Sequence, residues 1–263
     1  MYLHAHPKEM CNDDQKAQVI GLDWGTSSLR AYLLGQGGQV LAENSLPLGI
    51  MPVRRSSAPS DINRAFERAL GRAIGEWIAA AARPLPIVAA GMVGSAQGWQ
   101  EVPYLRIPFD VRELGSHLGK VRASDGTVIH LVPGLLRTCG LPNVMRGEET
   151  QVLGILSAEG NGDVPVGLPG THSKWCFLQG GCIEDFETFI TGELYAALRQ
   201  HTIIGQTMNG GSDGISAAFD RGVEVATSAN GLIGDLSTIF SVRSRNLVGQ
   251  LTFEEQPDYF RAC

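Results

Sequence analysis

VIGLDWGTSSLRAYLL, residues 19–34, changes in its middle from an apolar run to a loop of one acid, one glycine and three hydroxyls. Asp23 ends the apolar run, where its carboxylate can face a cleft and hold Mg2+ through water. Gly25 permits a tight turn and close backbone approach. Thr26, Ser27 and Ser28, with their backbone amides, can line phosphate oxygens, and Arg30 can add a charge-assisted contact. The competing reading is a plain hairpin, with Asp23 and Thr26 satisfying local amides and Arg30 on a solvated face.

Outward from this loop, VIGLD (19–23), LRAYLL (29–34) and VLAENSL (40–46) read as three strands of a meander, the last two joined by the glycine turn GQGG (35–38). The period then changes. In residues 61–82, Ile62, Phe66, Leu70, Ile74 and Trp77 fall at helical spacing, with Ser60 or Asp61 available as a cap. PIVAAGM (86–92) returns as a buried strand, VIHLVPGL (128–135) as another, and ETQVLGILSA (149–158) as a helix. Strands around the turn GTHSKW (170–175) follow, then helices over 191–203, 214–227 and 231–245, with 205–214 as a glycine-rich connection. The class is α/β.

GLPGTHSKW (167–175) is a second hydroxyl loop after an apolar strand. Gly170, Thr171 and Lys174 can offer an amide, a hydroxyl and a cation to phosphate, while His172 reads as structural. The GxxxxGK spacing of a Walker A loop is absent. Two such loops from separate lobes suit phosphoryl transfer, where positioning and electrostatics supply most of the acceleration. Lys174 also admits a merely solvated role.

Two further stretches carry polar chemistry. GMVGSAQGW (91–99) places Gly94, Ser95, Gln97 and Trp99 after a buried strand, either walling a polar ligand or pinning a surface loop to the core through Trp99. MRGEETQ (145–151) places Arg146, Glu148 and Glu149 at a helix start. There a carboxylate can accept a substrate proton and Arg146 can pair with an anion, although acids are also ordinary first-turn residues.

The formal net charge of -6 disfavours nucleic-acid and membrane surfaces, which need a positive field. No apolar stretch reaches the roughly 18 residues that span a bilayer. The five cysteines form no CxxC unit, so free thiols in a reducing cytoplasm are expected. Residues 1–18 read as a flexible leader, and His4 and His6 beside Cys11 are read as polar rather than metal-binding.

GLDWGTSSLRAYLL, AAGMVGSAQGW, VPGL, MRGEETQVLG, LPGTHSKW and FETFITGELYAALR together, over about residues 19–260, resemble the 2-dehydro-3-deoxygalactonokinase family of the actin-like/hexokinase ATPase superfamily. The resemblance implies a two-lobed, ribonuclease-H-like fold with mixed sheets, an N-terminal lobe over 19–150 and a C-terminal lobe over 151–263. It implies ATP-dependent phosphorylation of 2-dehydro-3-deoxy-D-galactonate at its 6-hydroxyl in galactonate breakdown, with Mg2+. Asp23 would position the metal, and Gly25, Thr26, Ser27 and Arg30 would form the first phosphate motif. Gly170, Thr171 and Lys174 would form the second, and GMVGSAQGW would face the sugar acid. Glu148 or Glu149 would be the base. EEQPDYFRAC (254–263) stands where family members continue into an adenosine motif, so a truncated second lobe is expected. An inactive sugar-acid-binding remnant, or a kinase for another keto-deoxy acid, is the alternative; the oligomeric state is open.

Overall fold

The computed structural model describes residues 17–160, 162–208, 210, 216–228, 234 and 238–262. The leader up to residue 16, with His4, His6 and Cys11, lies outside the described residues, as do half of the expected connection 205–214 and most of the first part of the helix expected over 231–245.

The meander forms at the expected residues: Val19–Trp24 (β1), Leu29–Leu34 (β2) and Val40–Leu46 (β3), antiparallel throughout. Two helices follow, Ile50–Arg55 (α1) and Ile62–Ala80 (α2). Phe66, Leu70, Ile74 and Trp77 of α2 are buried, as their spacing requires. Asp61 stands at its N-cap without a side-chain cap bond. A 3-10 turn, Pro59–Asp61, runs directly into α2 and leaves Asp61 at φ -107° and ψ 9°, outside the extended cap conformation.

Ile87–Ala90 (β4) lies parallel to β1. The chain then makes short strands: Leu105–Arg106 (β5), Phe109–Asp110 (β6), Gly119–Arg122 (β7), Val128–Leu131 (β8), Leu135–Arg137 (β9) and Asn143–Met145 (β10). The expected strand 128–135 is therefore two strands in two sheets. Pro133 has no N–H for a ladder, and a Cβ on Gly134 would stand 2.4 Å from the Met145 carbonyl. Helix α3 is Glu148–Glu159, followed by Pro165–Leu168 (β11), His172–Gln179 (β12) and Cys182–Ile190 (β13). GTHSKW is thus a turn only in its first half. From His172 it is strand, with Lys174, Cys176 and Leu178 buried and Trp175 and Phe177 exposed.

Three sheets result: β3-β2-β1-β4-β8-β7, β10-β9-β5 and β11-β12-β13-β6. The first two mix parallel and antiparallel pairs, so the fold is α/β with mixed sheets. The remaining helices are Gly192–His201 (α4), Ala217–Thr227 (α5), Ser241–Leu247 (α6) and Gln256–Ala262 (α7). Among the described residues no helix is long and apolar enough to cross a membrane.

The chain forms two compact units. One runs to Leu168 and includes Lys174–Thr188; the other holds Pro169–Ser173 and the described residues from Phe189 onward. The break falls there rather than at residue 150. The first unit has two cores. One packs α2 on the meander, with Trp24, Phe66 and Trp99 forming an aromatic trio. The other surrounds Val152, Leu156, Cys176 and Phe186. The second unit's core includes Tyr259 and Phe260 of α7, so the residues of EEQPDYFRAC help to close it.

Candidate active site

The loop after β1 is held from behind. Gly49 N–H donates to the Ser27 carbonyl at 3.1 Å, Ile50 N–H to Gly25 at 3.0 Å and Met51 N–H to Thr26 at 3.1 Å. Three consecutive carbonyls are spent on the first turn of α1. The amides and hydroxyls of Thr26 and Ser27 have no partner among the described residues, and both residues are exposed. The loop therefore offers two free amide donors and two hydroxyls that can turn to donate.

This grip needs Gly49, because a Cβ there would lie 2.4 Å from the Ser27 carbonyl carbon and 2.5 Å from its nitrogen. Its φ of -62° is ordinary, so the requirement is space. Gly49→Ala is expected to displace the loop and cost about 1–3 kcal/mol of stability. A thermal-unfolding scan checks it, and an unchanged midpoint would contradict this packing.

Asp23, at the end of β1, is half-exposed and accepts from Arg30 Nη1 at 3.2 Å. Gly91, with φ +92°, lies beside it: a Cβ there would be 3.0 Å from the Trp24 carbonyl and 3.6 Å from Asp23 Oδ1. Gly147, with φ +112°, packs on Gly91 in turn. Two bare glycines thus bring the head of α3 up to Asp23. Both conformations suit a residue without Cβ.

The carboxylates there differ. Glu148 Oε2 accepts from Arg146 N–H at 3.0 Å, and Oε1 lies 4.0 Å from Lys174 Nζ, leaving its side chain partly open. Glu149 is fully buried and accepts from Gly147 N–H at 2.8 and 2.9 Å. Burial, aided by the neighbouring Glu148 charge and opposed by these hydrogen bonds, pushes its carboxyl up to about 7.

Lys174 is buried rather than solvated. Its Nζ donates to Thr188 Oγ1 at 2.8 Å, which donates to Asn143 Oδ1 at 2.8 Å. Burial lowers its pKa, while Glu148 opposes the shift. Trp99 serves the aromatic core, stacked on Phe66 at 5.7 Å. Ser95 is buried with its hydroxyl donating to the Met92 carbonyl, and Gln97 is exposed with its carbonyl taken by Arg54. Gly94 is buried beneath Arg146, whose Nη1 a Cβ would approach to 3.0 Å.

In the second unit, Gly170 and Thr171 repeat the construction of the first loop. Gly192 N–H donates to the Gly170 carbonyl and Glu193 N–H to Thr171, at 3.2 and 3.1 Å. Again a glycine heads the helix, since a Cβ on Gly192 would be 2.7 Å from the Gly170 oxygen. Ser173 and Thr191 share a hydrogen bond, and His172 Nε2 meets Glu193 Oε2. Gly49, Gly91, Gly147 and Gly192 escaped the sequence reading; PLGIMP and FITGEL, with glycine just before a helix, carried the signal for two of them.

An acid at the end of a sheet strand, beside a loop with unpartnered amides and a helix headed by carboxylates, is an arrangement that can position a phosphoryl group. The model of the family "2-keto-3-deoxy-galactonokinase" matches residues 23–262. The chain is 36% identical over 236 residues to a Rhizobium meliloti (strain 1021) protein named as a probable 2-dehydro-3-deoxygalactonokinase, DgoK1, covering 86% of this chain and 71% of that one. It is 32% identical over 250 residues to the 2-dehydro-3-deoxygalactonokinase of Escherichia coli (strain K12), covering 92% and 76%. A crystal structure of a 2-dehydro-3-deoxygalactonokinase-type protein from Sinorhizobium meliloti superposes with a TM-score of 0.80 at 32% identity, covering 93% of this chain and 77% of that one. The chain belongs to the 2-keto-3-deoxy-galactonokinase family, the sugar-acid kinases.

Proposed function

We infer that this chain transfers the γ-phosphoryl group of ATP to a hydroxyl of a keto-deoxy sugar acid, with 2-dehydro-3-deoxygalactonate and its 6-hydroxyl as the acceptor. The observation that carries the phosphate assignment is the loop Gly25–Thr26–Ser27, whose carbonyls accept from the head of α1 while the exposed Thr26 and Ser27 amides have no partner among the described residues. Such a surface suits an anion and repels none of its lone pairs. The same use of carbonyls by a helix head supports Thr171 as a second phosphate donor, while the Gly170 N–H donates to Ser173 Oγ at 3.3 Å.

Asp23 fits a metal held through water, being a half-exposed carboxylate at a strand end. Among the described residues no three His, Cys, Asp or Glu side chains converge. Bound there, Mg2+ would neutralise charge on the transferring phosphate. Glu148, the partly open carboxylate, takes the acceptor hydroxyl proton on Oε1. Arg146 N–H and the Lys174 ammonium hold that side chain in place.

The finer fold assignment is proposed with this function: ribonuclease-H-like lobes of the actin/hexokinase type. The sheet order β3-β2-β1-β4-β8-β7, a meander joined to parallel strands, supports it for the first unit.

The test is direct. Purified protein with ATP, Mg2+ and 2-dehydro-3-deoxygalactonate should yield the phosphorylated acid and ADP, read by mass spectrometry. Acid recovered unchanged, with ATP intact, would sink the reading.

A further inference from the structure

We propose that Thr188 is a positioning residue for the phosphoryl transfer: its hydroxyl, backed by Asn143, holds the Lys174 ammonium against Glu148, the base assigned above. This rests on the kinase reading. Four elements of the first unit meet here, with Asn143 on β10, Glu148 on α3, Lys174 on β12 and Thr188 on β13. Exposure separates their roles. The Glu148 side chain is 24% exposed and open to an acceptor hydroxyl, whereas Lys174, at 6%, is shielded and acts through Glu148.

The hydrogen bonds run in one direction. Asn143 Oδ1 accepts from Val144 N–H at 3.0 Å, and Nδ2 donates to the Phe186 carbonyl at 3.4 Å, which turns the amide oxygen toward Thr188. The Thr188 hydroxyl has one proton and gives it to Asn143 Oδ1 at 2.8 Å. Its oxygen is left as an acceptor, and Lys174 Nζ donates to it at 2.8 Å. Glu148 Oε1 stands 4.0 Å from Nζ, an ion pair without a direct hydrogen bond. Among the described residues the ammonium thus has one hydrogen-bond acceptor, Thr188, and one carboxylate within 4.0 Å, Glu148.

Burial disfavours the charged amine and lowers its pKa. Offsetting that takes an acceptor for the charged form, and the Thr188 oxygen supplies it. The fixed ammonium in turn faces Glu148 with its opposite charge and holds the carboxylate where it can take a proton. Other charged groups nearby are engaged elsewhere or neutral. Asp185 and Glu187 of β13 pair with Arg137, Glu149 accepts from Gly147 N–H, and Arg146 is turned to the Val102 carbonyl. Burial pushes the Cys176 thiol up to about 12, so it stays neutral beside Lys174.

The chain has four lysines, Lys8, Lys16, Lys120 and Lys174, so NMR of protein labelled with 13C at lysine Cε can follow each amine, and Lys174→Met assigns the buried one. Thr188→Val keeps the side-chain shape and loses the hydroxyl. In it, Lys174 is expected to titrate about one to two pH units below wild type, the scale of a hydrogen bond to a charged group. The kcat should fall about 10- to 100-fold, with KM for ATP and for the acid within about threefold. Thr188→Ser restores the hydroxyl and should return to within about threefold of wild type. An unmoved Lys174 titration in Thr188→Val overturns the proposal, as does a kcat within about threefold of wild type. Thr188→Ser falling as far as Thr188→Val marks packing rather than the hydroxyl, and overturns it too. No turnover by wild type, with a titration that still moves, sinks the kinase reading and keeps Thr188's hold on the ammonium. Turnover with an unmoved titration sinks the proposal and keeps the kinase.

Discussion

Replacing Asp23 with alanine is expected to lower kcat by about 1,000-fold, the scale on which fixed electrostatic groups act on a charged transition state. The position can bear the change. Asp23 is half-exposed, its carboxylate's one partner among the described residues is the equally exposed Arg30, and an exposed ion pair contributes little to folding. Loss of activity should therefore come with an unfolding midpoint close to wild type, which separates a missing charge from a missing fold. Raising Mg2+ should rescue the variant poorly if, as proposed, the carboxylate would orient the metal as well as attract it. A variant within about tenfold of wild type would remove Asp23 from the reaction.

The second large effect lies at the head of α3, where the two glutamates should separate. Glu148→Gln is expected to cut kcat by about 100- to 10,000-fold, the usual contribution of a positioned base, with KM for ATP little changed. Glu149→Gln should instead act on stability. Its carboxyl titrates near 4.5 in the unfolded chain and at about 7 in the folded one. Between those values the folded state holds a proton that the unfolded state has lost. Stability attributable to this group therefore falls as pH rises through that window, and levels off above about 7. The full drop is on the order of 3 kcal/mol. The glutamine variant should flatten this slope in urea titrations from pH 4 to 8. If Glu149→Gln rather than Glu148→Gln abolishes turnover, the base is Glu149.

The first sheet was legible because its order is local. Alternation within VIGLDW, LRAYLL and VLAENSL, and the turn between β2 and β3, need only near neighbours. Strands of two or three residues, such as β5, β6 and β10, have no period to detect, and β6 finds its partner in β13 far along the chain. Lys174 shows how a composition cue misleads. Glycine and hydroxyls before it suggested an open turn, yet strand alternation carries it inward with Cys176 and Leu178. Trp99 went the same way, since apolar area outweighs a polar neighbourhood when Phe66 and Trp24 are available. The proposed phosphate loop was picked out by residue type, but its backbone wiring was not legible. Nothing in DWGTSSLR reveals that its carbonyls would be taken by a helix some twenty residues on.

Those carbonyl bonds have an electronic consequence. A peptide group is one conjugated unit, so an N–H···O bond at its oxygen draws density away from its own nitrogen. Ile50 on the Gly25 oxygen sharpens the Thr26 amide, Met51 on Thr26 sharpens Ser27, and Gly49 on Ser27 sharpens Ser28. Gly192 on Gly170 does the same for the Thr171 amide. Each link strengthens the next donor by about 10–30%. The acidity of these N–H groups is thus set by relays through the main chain, and side-chain drift at Thr26 or Ser27 leaves it standing.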